Sequence, residues 1–295
     1  MSSTSMNIAR IPATVENAED KILEYLQRDG VVIVTEMFSR THVEQVKQDL
    51  APHFDSDVID QSDFFPSTTQ RATGLFAISR ACVDLAMHPL FVAVANRLLT
   101  SVYTFYLGTE KNTVRSKPII SSTVGFRVNP GGRQQALHRD CVDFHTRPCD
   151  WPMMIGCVTA LTHTHKNNGA TIVIPGSHLW EDENRMPSVE DAVPAELEPG
   201  DATIFVGNLY HAGGANTTQD ERRETVGIFM AKGFYRQAEN QYLMVPPERC
   251  KDLHLSPAEL RVLGYGISKP SCGFAKYKDP MESVFGIIDD ETVRL

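Results

Sequence analysis

Residues 168–176 read Asn168-Gly169-Ala170-Thr171-Ile172-Val173-Ile174-Pro175-Gly176, a short β-branched run held between two turn signals. The same unit recurs on both sides of it. Strand-like runs stand at 102–106, 121–128, 153–161, 202–206 and 225–231, with 171–174 among them, and breaks such as Asn129-Pro130-Gly131-Gly132 and Glu198-Pro199-Gly200-Asp201 lie between them. Many short strands at turn-marked intervals predict a mainly β core of the sandwich or jelly-roll kind, flanked by helices.

The flanks carry the helical period. Val15, Ala18, Ile22, Leu23 and Leu26 predict a helix over 15–26, followed after Asp29-Gly30 by a strand at 31–34. Ser39 is a fitting N-cap for a second helix over 39–50, with Val43, Val46 and Leu50 on one stripe. Residues 55–73 are polar and irregular around Phe64-Phe65-Pro66 and read as a long loop. Helix returns over 83–99 with a break near Pro89, and again in the tail, where Ser256-Pro257-Ala258-Glu259 has the form of a capping box. With no Pro/Gly/Ser-rich linker, residues 1–295 read as one domain: a helical part to about 100, a jelly-roll core over about 101–235 and a helical tail over about 236–295.

Composition narrows the class. The 28 basic and 37 acidic residues give a net charge of −9, which repels polyphosphate backbones and speaks against nucleic acid as a partner. The six cysteines, at 82, 141, 149, 157, 250 and 272, form no Cys-x-x-Cys pair and read as free thiols of a reducing compartment. No signal-like start and no run of about 20 apolar residues is present, so the expectation is a cytoplasmic protein with no membrane span.

Against this frame stand His138-Arg139-Asp140 and, far downstream, His211 followed by Arg222-Arg223. Alternate residues of an extended segment point to one side, so His138 and Asp140 can face one metal, and His211, just past the strand at 202–206, can complete the set. Two neutral imidazoles and a carboxylate on one face of Fe(II) leave positions open for a chelating co-substrate and O2. An acidic co-substrate needs a fixed cation, which an arginine fork at the start of the next strand supplies. Arg222 and Arg223 point to opposite sides of such a strand, and only one can enter. The other histidines read as structural: His163 and His165 form a His-x-His pair with no acidic residue beside them in sequence, while His145, His178 and Cys141 read as bystanders.

These residues resemble the phytanoyl-CoA dioxygenase-like family of Fe(II)/2-oxoglutarate oxygenases. The resemblance rests on His138-Arg139-Asp140, residues 167–178, Pro199-Gly200-Asp201, and 211–216 leading to Arg222-Arg223. Within the family the chain is most similar to fungal meroterpenoid and verruculogen-synthase-type oxygenases. The resemblance implies a cupin-like double-stranded β-helix with His138, Asp140 and His211 as the catalytic metal ligands. It further implies 2-oxoglutarate held by Gln135, Thr171 and Arg222, with Arg222 preferred to Arg223 and a contribution from Arg71. The implied reaction is oxidation of an unactivated C–H of a small lipophilic, terpenoid- or meroterpenoid-like secondary metabolite, by hydroxylation, desaturation, rearrangement or endoperoxidation, with succinate and CO2 as co-products.

Phe64, Phe65, Phe126, Val158, Ile228 and Met230 are candidate walls for such a substrate. The strand after the arginines carries no tyrosine at 225–230, which sets aside a tyrosyl step, and the retained Asp140 sets aside a halide site. Two other readings compete. Six basic residues and no acidic one between Lys111 and Arg139 fit acyl-CoA 2-hydroxylation, and a non-catalytic cupin-like metal-binding protein would keep the same shell. A homodimer, with residues 256–265 at its interface, is also implied by resemblance.

Overall fold

The computed structural model describes residues 7–57, 68–144, 152–181 and 185–294. Its strands are β1 (Arg10–Pro12), β2 (Val31–Thr35), β3 (Thr69–Thr73), β4 (Ser101–Leu107), β5 (Glu110–Ser116), β6 (Ile119–Val128), β7 (Met154–Ala160), β8 (Thr171–Val173), β9 (Val193–Pro194), β10 (Ala202–Val206), β11 (His211–Gly213) and β12 (Arg223–Ala231). They form a mixed seven-stranded sheet in the order β1-β2-β10-β7-β12-β6-β3, a three-stranded sheet β11-β8-β9, and the hairpin β4-β5. The mainly β, jelly-roll expectation holds, and among the described residues no sheet closes into a barrel.

The expected 55–73 loop is corrected at its end. Thr69–Thr73 is a strand, paired antiparallel with β6 so that Arg71 lies opposite Phe126; its polar sequence hid it. β1 and β5 were likewise illegible, one for its shortness and the other for its exposed polar face. Phe64 and Phe65 lie outside the described residues, as do His145 and Cys149.

Two compact units make up the chain. The first comprises Met1–Thr73 and Val124–Ile228. Here α1 (Ala18–Asp29) buries Ala18, Ile22 and Leu26, and α2 (Arg40–Ser56), capped by Ser39 accepting from the His42 N–H, buries Val43, Val46, Leu50 and Phe54. Each such large apolar side chain contributes about 1.5–3 kcal/mol. Helix α2 lies close to β6: a Cβ on Gly125 would stand 2.9 Å from Phe54 and 3.2 Å from Leu50, so only glycine lets it seat. Next to it the buried Arg127 donates to Glu224 and Asp55, each at 2.6 Å, and lies 4.7 Å from the Phe54 ring centre.

The pleat of the large sheet then sorts its residues. Gly125 and Arg127 belong to the α2 side, so Val124 and Phe126 face the other way, as does Arg71 opposite Phe126. On β12, Glu224 faces Arg127, which sends Arg223, Thr225 and Gly227 to the side opposite Arg127. On β7 and β10, Val158 pairs with Thr203 and Gly156 with Phe205. The Phe205 ring reaches the three-stranded sheet, 4.6 Å from the ring of His211. This is the interior of the jelly roll.

The second unit comprises Gly74–Thr123 and Phe229–Leu295. It holds α3 (Leu75–Ile78), α4 (Arg80–Ala86), α5 (Pro89–Leu99), the hairpin, α6 (Gln241–Met244), α7 (Pro247–Asp252), α8 (Pro257–Leu263) and α9 (Pro280–Ser283). The expected break at Pro89 separates α4 from α5, and the capping box of Ser256 and Glu259 is formed. Glu239 knits the unit by accepting from the N–H groups of Gly74 and Thr123. No single helix among the described residues is long and apolar enough to cross a membrane.

Candidate active site

His138 and His211 face each other across two main-chain bonds of 2.9 and 3.0 Å, and their ring centres are 4.6 Å apart. Asp140 sits against both. One carboxylate oxygen lies 3.6 Å from Nε2 of His138, and the other lies 3.5 Å from Nε2 of His211. Among the described residues these three form the one group whose donor atoms all lie within 4.8 Å of one another.

The histidine tautomers are set by their backbone neighbours. Nδ1 of His138 is 2.8 Å from the Ala136 carbonyl, and Nδ1 of His211 is 3.1 Å from that of Leu209. A carbonyl only accepts, so Nδ1 carries the proton and Nε2 keeps a lone pair on the Asp140 side. Burial, and secondarily the nearby His211, pull the His138 pKa down and keep the ring neutral. The Asp140 oxygen facing His211 is buried with no hydrogen-bond partner among the described residues. Two neutral imidazoles and an unsatisfied carboxylate oxygen, converging at this range, suit a borderline divalent cation with positions left open.

Beside the cluster the 135–138 segment runs along β11. Gln135 donates its N–H to the Gly213 carbonyl at 3.0 Å and accepts the Gly213 N–H on Oε1 at 2.8 Å. β8 pairs β11 so that Thr171 lies opposite Gly213 and Val173 opposite His211, which puts Thr171 on the face that carries His211.

Of the two adjacent arginines, Arg223 is the one turned inward. Arg222 precedes β12 and is exposed, whereas Arg223 is 3% exposed and begins the strand with its side chain turned inward. The inward place expected for Arg222 from its spacing to His211 is thus taken by Arg223, because the Arg127–Glu224 pair fixes which residues of β12 face in. Nη1 of Arg223 donates to Thr225 Oγ1 at 2.8 Å, and its Nε is buried with no partner among the described residues. Burial lowers its pKa to about 10, which still leaves it charged at neutral pH. Nη2 lies near the Gly213–Gln135 pair, since a Cβ on Gly213 would be 3.7 Å from it. A buried cation with an orphaned donor needs an anion, and a carboxylate meets that need bidentately.

The remaining candidates divide. Phe126 and Val158 lie on the interior face. Ile228 and Met230 do not: they alternate with Arg223 on β12 and share the side of Glu224, so they are corrected to core residues. Arg71 lies on the interior face, but its main-chain N–H and Nε both approach one oxygen of Asp57, at 2.9 and 3.4 Å. His163 and His165 face acids after all, Glu198 at 3.5 Å and Glu221 at 2.7 Å, brought in by the fold. His178 bonds the Gln27 carbonyl at 3.1 Å, a structural role. Sequence reasoning missed Phe205, whose ring rests on His211, and Thr225; both follow from strand parity once the register is known.

A family model described as phytanoyl-CoA dioxygenase (PhyH) matches residues 26–224. The chain is 32% identical over 305 residues to the dioxygenase peniF of Penicillium patulum, covering 99% of this chain and 96% of that protein. It is 34% identical over 288 residues to the dioxygenase cnsJ of Penicillium expansum, covering 93% and 84%. Among solved structures, the epimerase SnoN in complex with Fe3+, alpha ketoglutarate and nogalamycin RO has a TM-score of 0.56 at 20% identity, covering 77% of this chain and 89% of that one, a likeness of fold. With a family model matched over most of its length and full-length dioxygenase relatives, the chain belongs to the phytanoyl-CoA dioxygenase family of Fe(II)/2-oxoglutarate-dependent oxygenases.

Proposed function

We propose that the protein oxidises an unactivated C–H of a small lipophilic, terpenoid- or meroterpenoid-like secondary metabolite, with 2-oxoglutarate and O2 consumed and succinate and CO2 released. The observation that carries this reading is Arg223, a buried and incompletely bonded cation beside the His138–Asp140–His211 cluster. Fe(II) chelated by 2-oxoglutarate supplies O2 activation when bound there. His138 and His211 would offer their Nε2 lone pairs, and Asp140 a carboxylate oxygen, to that metal. Arg223 takes the far carboxylate of 2-oxoglutarate, with its guanidinium held in place by Thr225. Gln135 and Thr171 border the same space and orient the co-substrate. Phe126, Val158 and Phe205 present an apolar interior face that excludes water from the reacting C–H.

Hydroxylation, desaturation, rearrangement and endoperoxidation all remain products of one site, because the position of the substrate carbon decides among them. The acyl-CoA alternative loses support. Of the six basic residues from Lys111 to Arg139, Arg127 and Arg139 are buried, and Lys117 is paired with Glu291 at 2.8 Å. A silent metal-binding protein would have no use for a buried, unneutralised Arg223. The reading also takes residues 1–295 as one catalytic domain, cytoplasmic and homodimeric, and light scattering on the purified chain checks the last point.

Anaerobic addition of Fe(II) and 2-oxoglutarate tests the site. A visible absorption band that needs both components, and that His138→Ala abolishes, is the expected result. Its absence in the native chain would sink the proposal. Succinate release across a panel of lipophilic metabolites and their CoA thioesters then separates the two substrate classes.

A further inference from the structure

In the two segments that carry the metal-binding cluster, the residues beside the ligands meet on the far side. Arg139 stands between His138 and Asp140, and Tyr210 immediately precedes His211. Arg139 is 8% exposed, and its guanidinium carbon lies 4.2 Å from the centre of the Tyr210 ring. Its Nη2 donates to the carbonyls of Ser177, at 2.7 Å, and Trp180, at 3.3 Å. Tyr210 is tied to the same turn, because its N–H donates to Ser177 Oγ at 2.8 Å and its carbonyl accepts from the Ile174 N–H at 2.9 Å.

We propose that Arg139 and Tyr210 form a cation–π clamp that positions the three ligands and thereby sets the affinity of the metal site. This rests on the reading that His138, Asp140 and His211 hold a divalent metal. On the ligand side, the ligand-bearing segments meet through the paired main-chain bonds of His138 and His211 and again through Cys141, whose N–H donates to the Gly207 carbonyl at 3.1 Å; Asp140 stands between these two links. The clamp fixes that residue from behind: Arg139 cannot shift without leaving both the Tyr210 ring and the Ser177–Trp180 turn. A guanidinium on an aromatic face in a desolvated place is a strong interaction of its class, and partners behind metal ligands commonly govern affinity. Neither residue touches the metal; both are positioning residues.

The test is the dissociation constant of the full chain for Co(II) and Mn(II) without 2-oxoglutarate, read alongside the Co(II) ligand-field spectrum and the melting temperature. Tyr210→Phe keeps the ring and Arg139→Lys keeps a cation, and both are expected to bind within about threefold of the native chain. Arg139→Met and Tyr210→Leu are expected to lose about 10- to 100-fold, with an altered Co(II) spectrum. Their double variant should bind no worse than the poorer single one. Native affinity in Arg139→Met, or equal loss in Tyr210→Phe and Tyr210→Leu, would overturn the clamp while leaving the metal site standing. A native chain with no affinity for divalent metal would remove the metal-site reading itself. Should Arg139→Met not fold, the half-buried Tyr210 pair of variants still decides.

Discussion

Gln135 and Gly213 bond each other twice, once through both main chains and once from the Gly213 N–H to the Gln135 side-chain oxygen, and this double link sits at the edge of the space in front of Arg223. A Cβ on Gly213 would lie 2.8 Å from Gln135 Oε1, too close to be accommodated without movement. Gly213→Ala should therefore displace the Gln135 amide and weaken 2-oxoglutarate binding by about tenfold, the scale of one modest overpacking. Isothermal titration with the metal-loaded protein checks it, and unchanged affinity would show that Gln135 plays no part.

The two adjacent arginines should behave oppositely. Arg223→Met removes the buried cation and should cost about 30-fold or more in 2-oxoglutarate affinity, the scale of a lost buried charge pair. Arg222→Met alters an exposed side chain and should stay within about twofold. Reversal of this order would return the anchor to Arg222.

Glu224 neutralises the buried Arg127 at 2.6 Å. Glu224→Gln should destabilise the fold by about 1.5–3 kcal/mol, because the buried guanidinium loses its buried carboxylate and keeps only the exposed Asp55. The joint replacement Arg127→Met with Glu224→Leu should recover most of that loss. Urea unfolding of the three proteins is the measurement, and a stable Glu224→Gln variant would contradict the prediction.

Burial raises the Cys157 thiol from its ordinary 9.0 to about 12. The folded chain thus keeps a proton that the unfolded chain sheds between those values, so stability falls as pH rises through this window. Cys157→Ala should show a shallower decline in stability from about pH 9 to 11 than the native chain. In the native protein at about pH 8, thiol reagents should modify Cys157 only at the rate of unfolding.

What could be read beforehand follows physical lines. β6, β7 and β10 announce themselves because burial on both faces selects apolar and β-branched residues, as in Ala202-Thr203-Ile204-Phe205-Val206. β3 does not, since Thr69-Gln70-Arg71-Ala72-Thr73 turns polar groups to both sides and owes its place to pairing with β6. The ligand triad is legible because metal chemistry restricts residue type and His-x-Asp spacing restricts direction. The choice between Arg222 and Arg223 is not legible, for it depends on where β12 begins, and Ile228 and Met230 were misplaced by the same single step of parity. Pairs such as Phe205 on His211 or Arg139 on Tyr210 join residues whose meeting no local pattern encodes.

The triplet Arg222-Arg223-Glu224 also acts as a register lock. If β12 slid by one residue so that Glu224 took the inward place, a carboxylate would confront the incoming dicarboxylate and Arg127 would keep only the exposed Asp55 as a counter-ion. If it slid the other way, Arg222 would turn inward and keep a cation there, but Arg223 would then be driven against Arg127. Each misregistered strand sets like charges together in a dry interior, and a shift of one residue reverses every side chain at once. The turn between His211 and β12 should therefore accept substitutions more readily than insertions or deletions.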